Sequence, residues 1–186
     1  MPLINITSEM KLAGLSVEYA DKELQKINGA AEIQAYCLDE FSRHGYTIHR
    51  KGGDSKISHL SSTRFDKLFL GSKFAEYPPE SKAQLLEHEL VHMRQQIAGG
   101  RFWEVRYLRP RNCLVWEWQG YAQGMRSLVR QGVGRNSIES RIATIPDSLW
   151  ASYIPLRVYG KEQLRNATID VLFEAAGLVS ASVKHG

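Results

Sequence analysis

The chain has 186 residues, 43% of them hydrophobic and 24% charged. That is the size and composition of one folded domain, and it excludes a disordered chain, a collagen-like repeat and a coiled-coil rod. The formal charge of +4 is mildly basic, and its densest groups, Arg106/Arg109/Arg111 and His49-Arg50-Lys51, read better as solvated faces than as a nucleic-acid footprint.

No apolar run nears the roughly 20 residues a membrane helix needs, and the sequence does not open on a basic stretch followed by an apolar one. No membrane partner is therefore expected, and a cytoplasmic or virion-associated setting is. Cys37 and Cys113 are far apart in sequence and make neither a disulfide framework nor a thiolate zinc site, so both are expected to be reduced.

Residues 7–44 are expected to form an N-terminal helical lobe, broken near Gly29 and closed at His44-Gly45. Residues 46–77 are expected to be β-rich. The stretch 46–50 alternates, Lys51-Gly52-Gly53-Asp54 has turn chemistry, and 67–74 reads as a strand with a bulge at Gly71.

The clearest helix spans 80–98. Pro78-Pro79 suits its first turn, Ser81 and Gln84 have capping-box spacing, and Gly99-Gly100 ends it. Leu86, Leu90, Met93 and Ile97 form its apolar stripe. A second helix spans 111–130 on the stripe Leu114, Trp118, Tyr121, Met125 and Leu128. Shorter helices are expected at 138–145, 148–153 and 161–176. The sum is a single α+β domain over 1–186, mainly helical, with a small antiparallel sheet packed on the 80–98 helix.

His88-Glu89-Leu90-Val91-His92 lies in the middle of that helix. Positions four apart on a helix differ by about 40° around the axis and one turn along it, so both imidazoles can reach one zinc ion. Glu89, beside them, is the candidate general base that takes a proton from water and later hands it to a leaving amine. Two solvated histidines on a surface helix are the bland alternative.

A catalytic zinc needs a third protein ligand. Gln95 and Ala98 stand where a metzincin would have Gly and His, which excludes that class. Glu117 is the leading candidate. It falls roughly 60° from the centre of the second helix's apolar stripe, where a carboxylate is costly unless paired or bound to metal. A salt bridge to Arg111 or Arg94 is the competing account. Glu104 is the next candidate, ahead of Glu139 and Asp147. Tyr121, one turn beyond Glu117, is the candidate donor to an oxyanion, with core packing as its alternative. Gly120 and Gly124 could let the two helices approach closely. His44, His49 and His59 lack ligand spacing.

With His88–His92 on one helix and Glu117 on a later one, the sequence resembles the zincin metallopeptidases of gluzincin type. It is similar in particular to short metallopeptidases of bacteria and phages in which H-E-x-x-H-x-x-Q-Q precedes an Arg-then-Glu helix, here Arg111, Glu117 and Tyr121. The likeness covers residues 80–125. It departs from the wider pattern at Arg94, and it lacks the second motif of thermolysin relatives.

The resemblance implies Zn²⁺ on His88, His92 and Glu117, Glu89 as base, and a peptide or protein substrate lying along an edge strand near 67–77. The expected activity is peptide hydrolysis. The alternative is a zinc-stabilised structural or binding module of a larger assembly, such as a phage particle, in which a fourth protein ligand or Phe102-Trp103 would close the site. Nucleic-acid binding through 101–111 is a third reading. A homo-oligomer or larger assembly stays open.

Overall fold

A computed structural model describes residues 4–52, 62–64 and 66–178. It is mainly helical, with α1 (Ser8–Gly14), α2 (Ala30–Arg43), α3 (Pro79–Gly99), α4 (Trp103–Tyr107), α5 (Pro110–Arg130), α6 (Arg135–Ser152) and α7 (Lys161–Ala175). Among the described residues there are also three short strands: β1 (Thr47–Arg50), β2 (Ser62–Arg64) and β3 (Lys67–Leu70). The α+β class agrees with the sequence reading.

The N-terminal stretch holds less helix than its pattern suggests. Between α1 and α2 there is only a short 3-10 turn, Leu24–Lys26. Asp21 explains the interruption: its carboxylate accepts hydrogen bonds from the backbone N–H of Glu23 at 2.9 Å and of Leu24 at 3.3 Å, a local alternative to the helical ladder. Gly29 is the extended residue before α2, and Gly45 follows it with φ +78, a left-handed conformation glycine adopts readily. Met10 of α1 joins the core of α5, α6 and α7, whereas Ile33, Cys37 and Phe41 of α2 join a second core. Both cysteines are buried and free.

The sheet departs from expectation. Its order is β1-β3-β2, with β1 parallel and β2 antiparallel to β3, so it is mixed and not antiparallel throughout. Lys67–Leu70 is the central strand and cannot serve as the edge strand expected near 67–77; among the described strands β2 and β1 are the edges. Alternation reveals which side of a strand is buried but not which neighbour it pairs with. In β3, Leu68 and Leu70 are buried, while every residue of β1 is exposed. The strand ends at Leu70, so Gly71 lies beyond it and makes no bulge, and a 3-10 turn follows at Phe74–Glu76. Gly53 and Asp54 of the expected turn, and His59, lie outside the described residues.

Pro79 occupies the first turn of α3, but no side chain caps that helix. The expected capping box does not form. Ser81 Oγ and Gln84 Oε1 instead accept from Arg141 of α6, at 2.7 and 3.1 Å. Leu86, Leu90 and Met93 are buried with Ala83, Leu68 and Leu70 in the second core, while Ile97 is exposed. Gly100, with φ +56, ends the helix.

On α5, Leu114, Trp118, Met125 and Leu128 are fully buried. The helices expected at 138–145 and 148–153 are one helix, α6, with Pro146 inside it. An internal proline costs about 3 kcal/mol. The continuous buried stripe Ile138, Ile142, Ile145 and Leu149 offsets that loss, since burying such a side chain stabilises by about 1.5–3 kcal/mol.

Candidate metal centre

His88 and His92 leave α3 on one face and are both buried. Their Nε2 atoms are 2.9 Å apart. From α5, Glu117 brings Oε1 to 3.3 Å from His92 Nε2 and Oε2 to 3.7 Å from His88 Nε2. Donors about 2.0–2.1 Å from a tetrahedral ion lie about 3.3 Å from one another; the His92–Glu117 separation matches that spacing, the imidazole pair is closer and the His88–Glu117 separation wider. His88, His92 and Glu117 form a buried group able to hold a metal ion.

The competing account of Glu117 does not hold. Arg111 pairs with Glu9 at 2.7 Å, and Arg94 pairs with Asp21 and Glu40. Among the other carboxylates, Glu139 pairs with Arg135 and Asp147 with Lys161 and Arg165. Glu104 lines the neighbouring cavity but does not belong to the three-residue group.

Two observations fit this group to a cation. Glu117 Oε1 accepts from the Tyr107 hydroxyl, but its buried Oε2 has no hydrogen-bond partner among the described residues. A buried carboxylate oxygen left without a partner is costly, and a cation facing it would remove the cost. Two imidazole nitrogens and one carboxylate oxygen are, moreover, a donor set that suits zinc.

Without an ion, a proton does part of the work. Burial opposes the charge on His92, but the Glu117 and Glu89 carboxylates and the Gln95 hydrogen bond push its pKa up to about 9. Burial and the neighbouring His92 drive His88 down to about 3. Glu117 falls to about 2 because His92, His88 and the Tyr107 hydroxyl outweigh its burial. An imidazolium therefore faces the carboxylate, with a neutral imidazole beside it.

His92 and Glu89 are each oriented from behind. His92 Nδ1 lies 2.8 Å from Gln95 Oε1, which assigns the Nδ1 proton to that bond and directs Nε2 at the metal position. Gln95 Nε2 donates to Gln119 Oε1 at 2.8 Å, and Gln119 Nε2 donates to Ala13 O at 2.9 Å. Glu89 is buried, and its Oε2 accepts from Thr63 Oγ1 of β2 at 2.9 Å. Gln96 Nε2 holds β2 in place through Thr63 O at 2.8 Å, and the Tyr46 hydroxyl donates to Gln96 Oε1 at 3.1 Å. Burial raises the Glu89 pKa above its ordinary 4.5, the direction a general base working near neutrality needs.

A cavity of about 440 Å³ opens onto Glu89, His92 and Glu117. Trp103, Tyr107 and Tyr153 give it an aromatic wall. Trp103 is part of the wall and Phe102 is 67% exposed, so neither closes the site. Tyr121 does not line this cavity; its ring packs edge-on against His88, centroids 4.4 Å apart.

Sequence reasoning missed Thr63, Tyr107, Tyr153 and Gln95 as parts of the site. Only Gln95, three residues beyond His92 on the same helix, had a local spacing that could have found it. His44 and His49 are exposed. Comparison of the chain with protein families, with curated proteins and with solved structures gives no match.

Proposed function

We propose that the protein is a zinc-dependent metallopeptidase of gluzincin type, with zinc on His88, His92 and Glu117. The observation that carries this reading is the unpartnered, buried Glu117 Oε2 beside two converging imidazole nitrogens. A divalent cation there supplies Lewis acidity, making water nucleophilic near neutral pH and polarising a peptide carbonyl.

The chain's own groups do the rest. Glu89 faces the same cavity, where its carboxylate receives a proton from the attacking water and delivers it to the departing amine. Thr63 holds that carboxylate in one rotamer. Tyr153, on the cavity wall, offers a phenolic O–H to the developing oxyanion. Burial and the nearby Glu117, Tyr121 and Glu89 raise its pKa well above 10.0, so the phenol keeps its proton.

The alternative, a zinc-stabilised structural module, calls for a fourth protein ligand or a closed site. Among the described residues the metal-ligating group has three members and the cavity beside it is open, which favours turnover. The test is Glu89→Gln. Zinc content should stay at one per chain, while hydrolysis of an unfolded protein substrate falls by about 10²–10⁴-fold. Persisting hydrolysis removes Glu89 from its role, and failure of the wild type to retain zinc supplied in excess removes the whole reading.

A further inference from the structure

The cavity and its outer rim differ in chemistry, and the difference describes a substrate. Inside, Trp103 and Tyr107 stack with centroids 4.9 Å apart, and Trp116 stacks behind Trp103 at 5.9 Å with its plane 5° off parallel. Tyr107 also meets Tyr153 edge-on at 6.3 Å. These rings brace one another, so the apolar wall is formed before anything binds, and binding to it loses little side-chain freedom. Three carboxylates, Glu89, Glu104 and Glu117, also line the cavity. An acidic side chain entering it would meet like charge.

Outside, the helical turns from Gly100 to Leu108 present the opposite character. Along these turns Trp103 is buried and Tyr107 half-buried, whereas Arg101, Phe102, Val105, Arg106, Leu108 and Arg109 face outward. All six are exposed, and Phe102, Val105 and Leu108 are 67%, 62% and 66% exposed. Leu108 also lines the cavity, so the rim is continuous with it. Because the stacking aromatics point inward, this face offers a nucleic acid little to stack on beyond Phe102. Its apolar side chains interleaved with arginines match a polypeptide of alternating apolar and acidic character.

Resting on the metallopeptidase reading, we propose that the preferred substrate is a polypeptide segment with a bulky apolar residue, aromatic above all, next to the bond cleaved, and acidic residues a short distance along the same chain. The apolar side chain fills the wall of Trp103, Tyr107 and Tyr153. The acidic residues lie over Arg101, Arg106 and Arg109. Arg101, Arg106 and Arg109 lie on the same short segment as Trp103 and Tyr107, so the acidic residues fall within about three to four extended residues, about 10–13 Å, of the bulky one.

The experiment is cleavage of a peptide library by the zinc-loaded protein, paired with fluorescence-anisotropy binding of the same peptides to zinc-loaded Glu89→Gln. Peptides with Phe, Tyr or Leu next to the cut and Asp or Glu three to four residues away should be both bound and cleaved best. The double reversal Arg106→Glu/Arg109→Glu should raise KM for them about tenfold with kcat unchanged, and should invert the salt dependence of KM. The exposed single change Leu108→Asp should weaken the same peptides, with the protein's fold checked by circular dichroism. Cleavage without these preferences, or tighter binding of basic peptides, overturns the substrate assignment alone. Selective binding with no cleavage of any peptide overturns the peptidase reading and leaves the recognition surface standing.

Discussion

Gly120 of α5 lies against the imidazole of His88. A Cβ built on it would stand 2.9 Å from Cε1, 3.0 Å from Nδ1 and 3.1 Å from Nε2 of that ring. The ring cannot retreat freely, because Tyr121 packs against it and it is buried. Gly120→Ala should therefore push His88 off the metal position while leaving the fold intact. The expected outcome is zinc affinity weakened about tenfold or more, read by competition with a chromogenic chelator. Unchanged affinity would show that His88 is not a ligand held at this contact.

Gln95 orients His92 and is itself oriented by Gln119, which is anchored to Ala13 at the end of α1. The relay ties the metal position to the N-terminal helix. Gln95→Leu keeps comparable bulk, removes the acceptor from His92 Nδ1 and leaves the Gln119 amide short of a partner. Zinc affinity should fall about 10–100-fold, and Gln95→Glu, which keeps an acceptor, should retain more of it. Equal losses in the two variants would mean that the hydrogen bond to Nδ1 does not matter.

The parts of this arrangement that were legible in the sequence are those carried by a single helix. The His88–His92 spacing, the Leu86/Leu90/Met93 stripe and the place of Glu117 at the edge of the α5 stripe all follow from the 3.6-residue period. Thr63 was not legible, because it reaches Glu89 only through the pairing of β2 with β3 and its bond to Gln96. Tyr107 arrives from the short α4, and Tyr153 stands just past the last residue of α6, where the stripe of that helix no longer says which way a side chain points. The capping box failed for a related reason: Arg141, distant in sequence, takes both side chains that would have formed it.

The helical wheel picks Tyr121 as the phenol for an oxyanion, whereas the cavity wall holds Tyr153. The two assignments separate in kinetics. Tyr153→Phe should lower kcat by about 10²-fold with little change in KM, as loss of a donor to the transition state does. Tyr121→Phe keeps the edge contact with His88 and should stay within about threefold of wild type. The reverse order of effects, measured on one peptide at saturating zinc, would return the role to Tyr121.

Zinc binding should release a proton, and the source is His92. With His92 raised to about 9, His88 lowered to about 3 and Glu117 lowered to about 2, the metal-free group at pH 6 carries its one proton on His92. Zinc must displace it, so affinity should climb about tenfold per pH unit until about pH 9. Calorimetry at pH 6 in buffers of different ionisation enthalpy should count close to one proton released. The stability of the metal-free protein follows the same two rings. The raised His92 contributes fully below the ordinary 6.5 and loses that contribution as pH rises through about 9. The lowered His88 favours the unfolded chain once pH drops below 6.5. Together they place the stability maximum of these groups near pH 6.5. The gap in Tm between zinc-loaded and metal-free protein should therefore widen from pH 6.5 to pH 9, and a constant gap would mean that His92 does not exchange its proton for the metal.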